Sequence, residues 1–416
     1  MIILFISFFV SFIVCLLLLR FNALHAHMSS DDSNGGPQKF HVRPTPRIGG
    51  LGIALGLGIA YLYVSMTSLD VEVITQFGFL LVAAIPAFLG GFVEDLTKRV
   101  SVSKRLLLSM VSAGIAVWLL GAVVNHLGFF MLDWILQWQI VAILFTLLAV
   151  GGVVNSVNII DGFNGIVSVY SGFALLAIIS VSSEFHDVLL VDASAAMLGA
   201  LIGFFYWNYP FGEIFLGDGG SYLVGFWLAE LALLTVLRHP SVSPWFAALL
   251  LIHPVFETLF SIYRRSILQG KSPWQPDALH LHTLIFRRLN HLQWASNDPR
   301  HKINCNSMTA KYLWWPLFTT SLLAALLWDN SIALILATLS YVLFYLWIYW
   351  RIVRFKSPLS FVRRDRRNDN RVEGAFDSLT VRHGNRQLRF NKVGVKRTRR
   401  FTDSIGSNSG KFNRQD

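Results

Sequence analysis

Long apolar runs constrain this chain more than any other feature of its sequence. A helix needs about 20 apolar residues to cross the hydrocarbon core of a bilayer, and the 416-residue sequence contains many runs of that length. Backbone polar groups in lipid must be satisfied within the segment, so such runs fold as helices. The predicted spans lie near residues 2–20, 48–66, 74–93, 105–123, 139–156, 166–183, 190–207, 219–237, 245–263, 313–329 and 331–350. The sequence therefore predicts an all-α integral membrane protein with about eleven transmembrane helices.

Charge in the loops predicts the orientation of these helices. Alternate loops carry nearly all the Lys and Arg residues, whereas the opposite set contains a single basic residue, Arg238. Lys and Arg concentrate in the cytoplasmic loops of membrane proteins. We therefore expect the N-terminus outside and the C-terminus in the cytoplasm. The same rule explains the net charge of +11, so no nucleic-acid partner is expected.

Composition changes sharply near residue 356. Residues 1–355 hold all the apolar runs, whereas residues 356–416 are polar and rich in Arg, Asn and Ser. Such a composition is typical of disorder. We predict a polytopic membrane domain over 1–355 and a basic cytoplasmic tail over 356–416. The tail is suited to contact with anionic lipid headgroups, although a solvated tail without a specific partner is the simpler interpretation.

Acidic and amide side chains recur in the predicted cytoplasmic loops. Glu94 and Asp95 follow directly after the third apolar run. Asn155, Asn158 and Asp161 are spaced three residues apart, so they share one face if the fifth helix continues through them. Helix capping explains one such residue but not the whole group. We therefore expect these side chains to serve a function.

Asp218 opens the eighth predicted helix and is flanked by glycines. An isolated Asp at this position would be interpreted as a helix cap. Glycine on both sides leaves room for a ligand, and carboxylate oxygens are the ligands that Mg²⁺ prefers. We therefore predict that Asp218 binds a hard cation.

Two cationic segments flank these acids. The first contains Lys39 and, in the motif PTPRIGG, Arg47 just before a helix N-terminus, a combination that suits an anion; an ordinary cytoplasmic loop is the alternative. The second is DALHLHTLIFRR, whose side chains suit a diphosphate or a sugar. A zinc site is the rival for its histidines, but their spacing lacks the accompanying cysteines or the HExxH pattern. The candidate binding residues of the second segment are His280, His282, Arg287 and Arg288.

Glu230 and Glu257 lie inside apolar runs. Intramembrane acids are functional in most cases, and these two support a competing class, the secondary transporters with ionisable groups at mid-membrane. However, the other polar clusters lie at the cytoplasmic ends of the helices, and no internal repeat is visible. Glu257 is also close enough in sequence to Arg264 and Arg265 to be their structural partner.

Five motifs in order carry a resemblance to a known family. PTPRIGG, GFVEDLTKR, NSVNIIDGFNG, WNYPFGEIFLGDGGS and DALHLHTLIFRR resemble those of the polyprenyl-phosphate N-acetylhexosamine-1-phosphate transferases, which include the phospho-N-acetylmuramoyl-pentapeptide transferase. The resemblance covers residues 39–288. It implies transfer of a HexNAc 1-phosphate from a UDP-sugar to undecaprenyl phosphate, with release of UMP. It also implies dependence on Mg²⁺, with Mn²⁺ as a substitute, in a bacterial inner membrane, and it is compatible with a homodimer.

The resemblance and the chemistry of the residues discussed above together assign roles residue by residue. The residues expected to act in catalysis are Glu94, Asp95, Asp161 and Asn164. Those expected to bind the metal are Asp218 and Asp161. Those expected to bind substrate are Lys39, Arg47, Asn155, Asn158, Asn208, His280, His282, Arg287 and Arg288. Two positions depart from the family pattern, which has Asp where this chain has Glu94 and Asn164, so a direct catalytic role is weaker for these two.

The histidine motif distinguishes two branches of this family. It reads His-Leu-His-Thr, rather than three histidines followed by acidic residues. This favours enzymes that start O-antigen, capsule or similar glycans, with GlcNAc, FucNAc or QuiNAc as the sugar. The peptidoglycan-precursor branch is the alternative.

Overall fold

Helices make up nearly all of the structure, a computed structural model that describes residues 1–22, 30–31, 45–270, 272, 277, 279–292 and 299–354. For residues 30–31, 291–292 and 299–300 it describes the backbone only. The predicted tail, 356–416, therefore lies outside the described residues. All described residues belong to one compact unit, Met1–Pro358.

Most successive helices are joined by short connections, but 29 residues, 21–49, separate the first two. The first seven are α1 (Ile2–Arg20), α2 (Gly50–Thr67), α3 (Val71–Thr97), α4 (Val102–Leu120), α5 (Phe130–Leu136), α6 (Gln139–Ile160) and α7 (Ile166–Glu184). The remaining six are α8 (Val188–Asn208), α9 (Gly217–Arg238), α10 (Pro244–Tyr263), α11 (Leu281–Leu292), α12 (Pro299–Leu326) and α13 (Ser331–Val353). A π-helical turn, Arg264–Leu268, extends α10. Two short strands, β1 (Ser30–Asp31) and β2 (Thr45–Pro46), pair antiparallel.

The predicted all-α membrane architecture is confirmed. Among the described residues, ten helices are long and apolar enough to cross a membrane: α1 to α4, α6 to α9, α10 with its π-helical turn, and α13. The tenth predicted span, 313–329, lies largely within α12, which is not among these ten helices. Its polar first half, from Pro299, lengthens it to 28 residues. The chain is therefore a multi-pass membrane protein.

Helix ends differ from the predicted spans where a capping side chain decides them. Ser101 accepts a hydrogen bond from the backbone N–H of Lys104, so α4 begins at Val102 rather than near residue 105. Gly121, in the left-handed conformation, ends the same helix. Capping satisfies backbone donors that have no partner within their own helix, which an apolar run cannot reveal.

α9 lies at the centre of the bundle. Of its apolar window 89% is buried, compared with 22% for α1 and for α4. It packs against α3 and α6 most extensively and also contacts α2, α4, α7, α8 and α10. A helix buried to this extent contacts other helices rather than lipid, so polar residues in its first turn are compatible with its position.

Pro254 lies inside α10, and a tyrosine on a neighbouring helix compensates for it. Proline has no backbone N–H, so the carbonyl four residues earlier, that of Leu250, has no helical donor. The hydroxyl of Tyr170, on α7, donates to this carbonyl at 3.0 Å. Tyr170 is fully buried. The bond therefore joins two helices exactly where one of them is interrupted.

Replacing Tyr170 by Phe should therefore destabilise the bundle. The change leaves the Leu250 carbonyl without a partner in a buried position, which costs about 1–3 kcal/mol. Thermal unfolding of the detergent-solubilised protein measures it. Tyr206→Phe is the matched control, because Tyr206 is 63% exposed and its hydroxyl is not needed by a buried carbonyl. Equal melting temperatures for the two variants would contradict the role given to Tyr170.

Candidate active site at one end of the bundle

A polar cavity of about 340 Å³ lies where several helices end. Its volume is within the range of about 300–1,000 Å³ found for small-molecule sites. Its lining comes from four of the five sequence motifs, all but GFVEDLTKR, and from Asn306. The predicted site residues that line it are Arg47, Asn158, Asp161, Asn164, Asn208, Asp218, His280 and His282. Residues far apart in sequence therefore meet in one site.

Two of the motifs are joined through their backbones. The N–H of Phe215 donates to the carbonyl of Pro46, and the N–H groups of Gly49 and Gly50 donate to the carbonyls of Phe215 and Leu216, each at 2.9 Å. These bonds align the PTPRIGG segment beside the residues that precede α9. They place Arg47 next to the first turn of that helix.

Close backbone packing holds the first turn of α9 in place. Gly217 has a φ of +78°, a conformation that favours glycine, and a Cβ there would lie 2.1 Å from the carbonyl oxygen of Arg47. On α3, a Cβ at Gly91 would lie 2.4 Å from the carbonyl carbon and oxygen of Asp218. Asp218 is thus fixed by direct contact between α3 and α9.

Asp95 caps this turn from the side. Its Oδ1 accepts the backbone N–H of Asp218 and its Oδ2 accepts that of Gly219, both at 2.9 Å. The side chain of Asp95 is 1% exposed and does not line the cavity. A carboxylate at a helix N-terminus is stabilised by free N–H groups and by the helix dipole. Asp95 therefore holds the backbone that carries Asp218.

The carboxylate of Asp218 binds three donors. Oδ1 accepts from Arg47 Nη2 and from Asn158 Nδ2, each at 3.1 Å, and Oδ2 accepts from Arg105 Nη1. Asn158 also donates to Ser221 Oγ at 2.8 Å. Two guanidinium groups thus bind one carboxylate at the N-terminal end of α9. Arg47 Nη2 also lies 3.9 Å from Asp95 Oδ1, so the two cations face two carboxylates.

Arg105, on α4, was not identified from the sequence. It lies ten residues beyond Asp95, at the cytoplasmic end of a predicted span, where a cation is expected on topological grounds alone. Its proximity to Asp218 comes from the packing of α4 and α9 against α3, so no local pattern could have indicated it.

Asp161 occupies the turn after α6, and the exposed Gly162 follows it. Burial raises the pKa of Asp161 to about 7, and Arg47 acts in the opposite direction. A group of this kind is sensitive to charge, because a cation nearby favours its ionised form.

Asn164 and Asn208 use their side-chain amides to hold the backbone around the cavity. Asn208 Oδ1 accepts the N–H of Gly165 at 2.7 Å, and its Nδ2 donates to the carbonyl of Ile214 at 2.8 Å. Asn164 Nδ2 donates to the carbonyl of Pro210 at 3.1 Å. Both side chains are buried. These contacts indicate that the two residues shape the cavity wall.

α12 contributes a further cavity residue that the sequence did not indicate. Asn306 Oδ1 accepts the backbone N–H of Asn164 at 2.9 Å, and Asn306 lines the cavity. It lies outside the five motifs, in the polar first half of α12.

The two histidines stack at the opposite side of the cavity. The rings of His280 and His282 are 5.3 Å apart and inclined by 14°. His282 lies against Gly162 and Phe163. Burial, with the neighbouring His280, lowers the pKa of His282 to about 3, so this ring is neutral at neutral pH. His280 Nδ1 lies 2.8 Å from Glu257 Oε1, so Glu257 faces the site and not Arg264, which pairs with Asp277.

Several predicted residues lie away from the cavity. Glu94 Oε2 accepts the N–H of Val100 at 2.6 Å, and Asn155 donates to the carbonyl of Gly151 at 2.8 Å. Arg287 is exposed and Arg288 half-buried on α11, and neither lines the cavity. Lys39 lies outside the described residues. The roles predicted for these residues remain predictions.

The donor set determines which cation the site suits. Among the described residues, no three His, Cys, Asp or Glu side chains form a cluster able to hold a metal by themselves. Mg²⁺ in nucleotide sites typically takes one or two carboxylates and completes its shell with phosphates and water. Asp218 and Asp161 are the carboxylates that line the cavity, so the residues fit Mg²⁺ bound together with a phosphate ligand. A cation on Asp218 has to displace at least one of its present donors.

Gly91→Ala should separate α3 from α9. The added methyl group overlaps the backbone of Asp218, and overpacking of this kind costs about 1–3 kcal/mol. We expect a lower melting temperature in detergent. Gly58→Ala is the matched control, because a Cβ at Gly58 on α2 meets no atom within 4 Å. An unchanged melting temperature for Gly91→Ala would show that the two helices do not touch at this point.

Comparison with known proteins agrees with this geometry. The model of the family described as glycosyl transferase family 4 matches residues 77–236. The undecaprenyl-phosphate alpha-N-acetylglucosaminyl 1-phosphate transferase of Thermotoga maritima is 31% identical over 252 residues, which make up 61% of this chain and 72% of that protein.

Two further relatives are more distant. The enzyme of the same name from Escherichia coli K12 is 27% identical over 262 residues, 60% of this chain and 67% of that protein. The decaprenyl-phosphate N-acetylglucosaminephosphotransferase of Mycolicibacterium smegmatis is 29% identical over 281 residues, 58% of this chain and 65% of that protein. Four of the five motifs line one cavity, and the remaining motif supports it through Asp95. With the similarities above, this leads to one conclusion: the chain belongs to the polyprenyl-phosphate N-acetylhexosamine-1-phosphate transferase family and is a membrane-bound transferase.

Proposed function

We propose that this protein transfers a HexNAc 1-phosphate from a UDP-sugar to undecaprenyl phosphate and releases UMP, at the cytoplasmic face of the membrane. The observation that carries the proposal is the convergence of Asp218, Asp161, Arg47 and Arg105 at one end of an apolar bundle. Relatives named as undecaprenyl-phosphate N-acetylglucosaminyl 1-phosphate transferases support it.

The reaction is a phosphoryl transfer. An oxygen of the lipid phosphate attacks the phosphorus bonded to the sugar, the bond from that phosphorus to the bridging oxygen of UMP breaks, and UMP leaves with the electron pair. Catalysis of such reactions consists mainly of positioning and of stabilising charge on the phosphoryl oxygens. The lipid phosphate is already an anion at neutral pH, so the attack needs little help from a base.

The side chains at the cavity suit these tasks. Arg47 and Arg105 offer guanidinium groups, which bind phosphate oxygens in pairs. Asn158 holds Asp218 in orientation through Oδ1. Asp161 is the cavity carboxylate that is not already paired with two arginines, and it can accept a hydrogen bond or a proton from the attacking phosphate. His280 and His282 border the opposite wall and are placed to contact the sugar or the diphosphate.

Mg²⁺ is part of the proposal, with Asp218 and Asp161 as its protein ligands. When bound, it would neutralise negative charge on the diphosphate and on the departing UMP. The chain's own residues then have to orient the two phosphates: Arg47 and Arg105 at the mouth of α9, and Asp95 beneath it.

We also propose that the product begins a surface glycan, such as an O-antigen, rather than peptidoglycan. The His-Leu-His-Thr motif supports this branch. In the structure its two histidines stack on each other and one rests on Gly162 and Phe163, which leaves a compact wall. A compact wall suits a simple HexNAc better than a sugar that carries a peptide.

A donor panel tests the reaction. Purified protein is incubated with undecaprenyl phosphate, Mg²⁺ and the UDP derivatives of GlcNAc, FucNAc, QuiNAc and MurNAc-pentapeptide, and both UMP and the lipid-linked product are measured. We expect turnover with one or more simple HexNAc donors, loss on chelation and recovery with added Mg²⁺. Turnover with the pentapeptide donor alone would contradict the proposed branch, and no turnover at all would contradict the function.

Asp218→Asn should reduce turnover in the same assay by at least about 100-fold, since the loss of a group that stabilises the transition state typically costs this much. The substitution keeps the size of the side chain and removes its charge. Asp329→Asn, an exposed position outside the cavity, is the matched control and should be neutral. Full activity of Asp218→Asn would remove this residue from the site.

Cysteine labelling tests the membrane face. Both native cysteines are buried, so single introduced cysteines give a clear signal. Arg99→Cys lies at the cavity end of the bundle, and Glu184→Cys lies at the other end. In sealed right-side-out vesicles, an impermeant maleimide should label Glu184→Cys at once and Arg99→Cys only after permeabilisation. The reverse pattern would place the cavity outside the cytoplasm.

A further inference from the structure

A buried acid outside the five motifs, to which the proposed function gives no role, lies beside the histidine segment. Glu257, on α10, is 2% exposed and lies inside a membrane-spanning helix, yet it faces the histidine segment. We propose that Glu257 is a positioning residue: it fixes the ring of His280, the proton on Nδ1 of that ring, and the start of α11, and thereby sets the histidine wall of the cavity. The inference rests on the proposed function.

Both oxygens of Glu257 are used. Oε1 lies 2.8 Å from His280 Nδ1 and accepts the backbone N–H of Leu281 at 3.1 Å, and Oε2 accepts the hydroxyl of Tyr345 at 2.7 Å. Tyr345 is on α13 and is 1% exposed. A carboxylate surrounded by three donors is held in one orientation. In a dry environment, such a group is stable only because its charge is met by donors of this kind.

These contacts decide the tautomer of His280. An ionised carboxylate only accepts hydrogen bonds, so Nδ1 of His280 carries the proton in its bond to Glu257. The other ring nitrogen, Nε2, lies on the opposite edge of the ring, 3.8 Å from Asp277 Oδ2. Glu257 thus binds one nitrogen of His280, and the ring lines the cavity. Functional histidines in proteins are commonly oriented by such a hydrogen bond to a carboxylate.

The segment before His280 is anchored to the same helix. Asp277 Oδ2 accepts from Ser261 Oγ at 2.5 Å and from Arg264, and Arg264 Nη1 donates to the carbonyl of Leu279 at 2.6 Å. Glu257 completes this row, one turn before Ser261, by binding Leu281. The chain entering α11 is therefore tied to α10 on both sides of His280.

Glu257 also acts on His282 through His280. The two rings stack in near-parallel orientation, and His282 rests on the turn that carries Asp161. A tilt of His280 therefore shifts the wall that faces the catalytic carboxylates. A displacement of about 1 Å in such a group can cost about 100-fold in rate.

The test is a double-mutant cycle in the UMP-release assay, with the variants Glu257→Gln, His280→Gln and the double variant. We expect Glu257→Gln to lower kcat by about 10- to 100-fold, with the KM for the UDP-sugar changed by less than about threefold. If Glu257 acts through His280, the double variant is no worse than His280→Gln beyond about threefold. Effects that multiply, or an unchanged kcat for Glu257→Gln, would overturn the inference.

Glu230→Gln is the matched control. Glu230 on α9 is an equally buried acid, and among the described residues neither of its carboxylate oxygens has a hydrogen-bond partner. This variant should retain wild-type kcat and a wild-type size-exclusion profile. A loss equal to that of Glu257→Gln would show that removing any buried acid impairs the bundle, and would overturn the specific role.

Two provisions keep the outcomes separate. If Glu257→Gln is not recovered as folded protein, Tyr345→Phe takes its place in the cycle with His280→Gln. This change removes one hydrogen-bond donor from the carboxylate of Glu257. An unchanged kcat for Tyr345→Phe, or losses that multiply in the double variant, then overturns the inference. Absence of wild-type turnover with every donor contradicts the proposed function itself. Wild-type turnover with multiplicative losses contradicts the role of Glu257 alone.

Discussion

The site depends on one kind of contact: a buried carboxylate on one helix accepts N–H groups at the first turn of another helix. Asp95 does this for α9, and Glu257 does it for α11. The first N–H groups of a helix have no partner in their own helix, and each buried donor or acceptor left unsatisfied costs about 1–3 kcal/mol. Each contact satisfies the donors and the acid together. The polar residues beside these turns, Asp218 and His280, are thereby fixed in an interior with little water.

Close packing makes this contact possible. The acid of one helix reaches the amides of another only where the backbones nearly touch, and Gly91 and Gly217 allow this approach around α9. The first turn of α9 contacts α2, α3 and the extended segment before Gly50, which hold it in place. The result is a rigid floor for the cavity. Its polar groups are oriented before any ligand arrives, which is what phosphoryl transfer requires of a protein.

The sequence predicted the class of fold and most of the cavity residues, and it missed those that arrive from elsewhere. Arg105 and Asn306 lie outside the motifs, and packing of α4 and α12 brings them to the site. Both members of the acidic pair were predicted to act in catalysis, with the weaker case for Glu94. In the structure they make different contacts: Asp95 binds the backbone of α9, and Glu94 binds the loop after its own helix. Adjacent residues on a helix point in directions about 100° apart, so a shared motif does not imply a shared role.

The sequence by itself determined that this chain crosses a membrane as a bundle of helices, because lipid permits no other use of long apolar runs. It also determined the chemical types available at the polar ends. Only the tertiary structure decided which of these groups meet. Asp218 and Arg105 are 113 residues apart, and Glu257 and Tyr345 are 88 residues apart. Such pairs are set by how helices cross, which depends on the shapes of many small contacts at once and leaves no local pattern in the sequence.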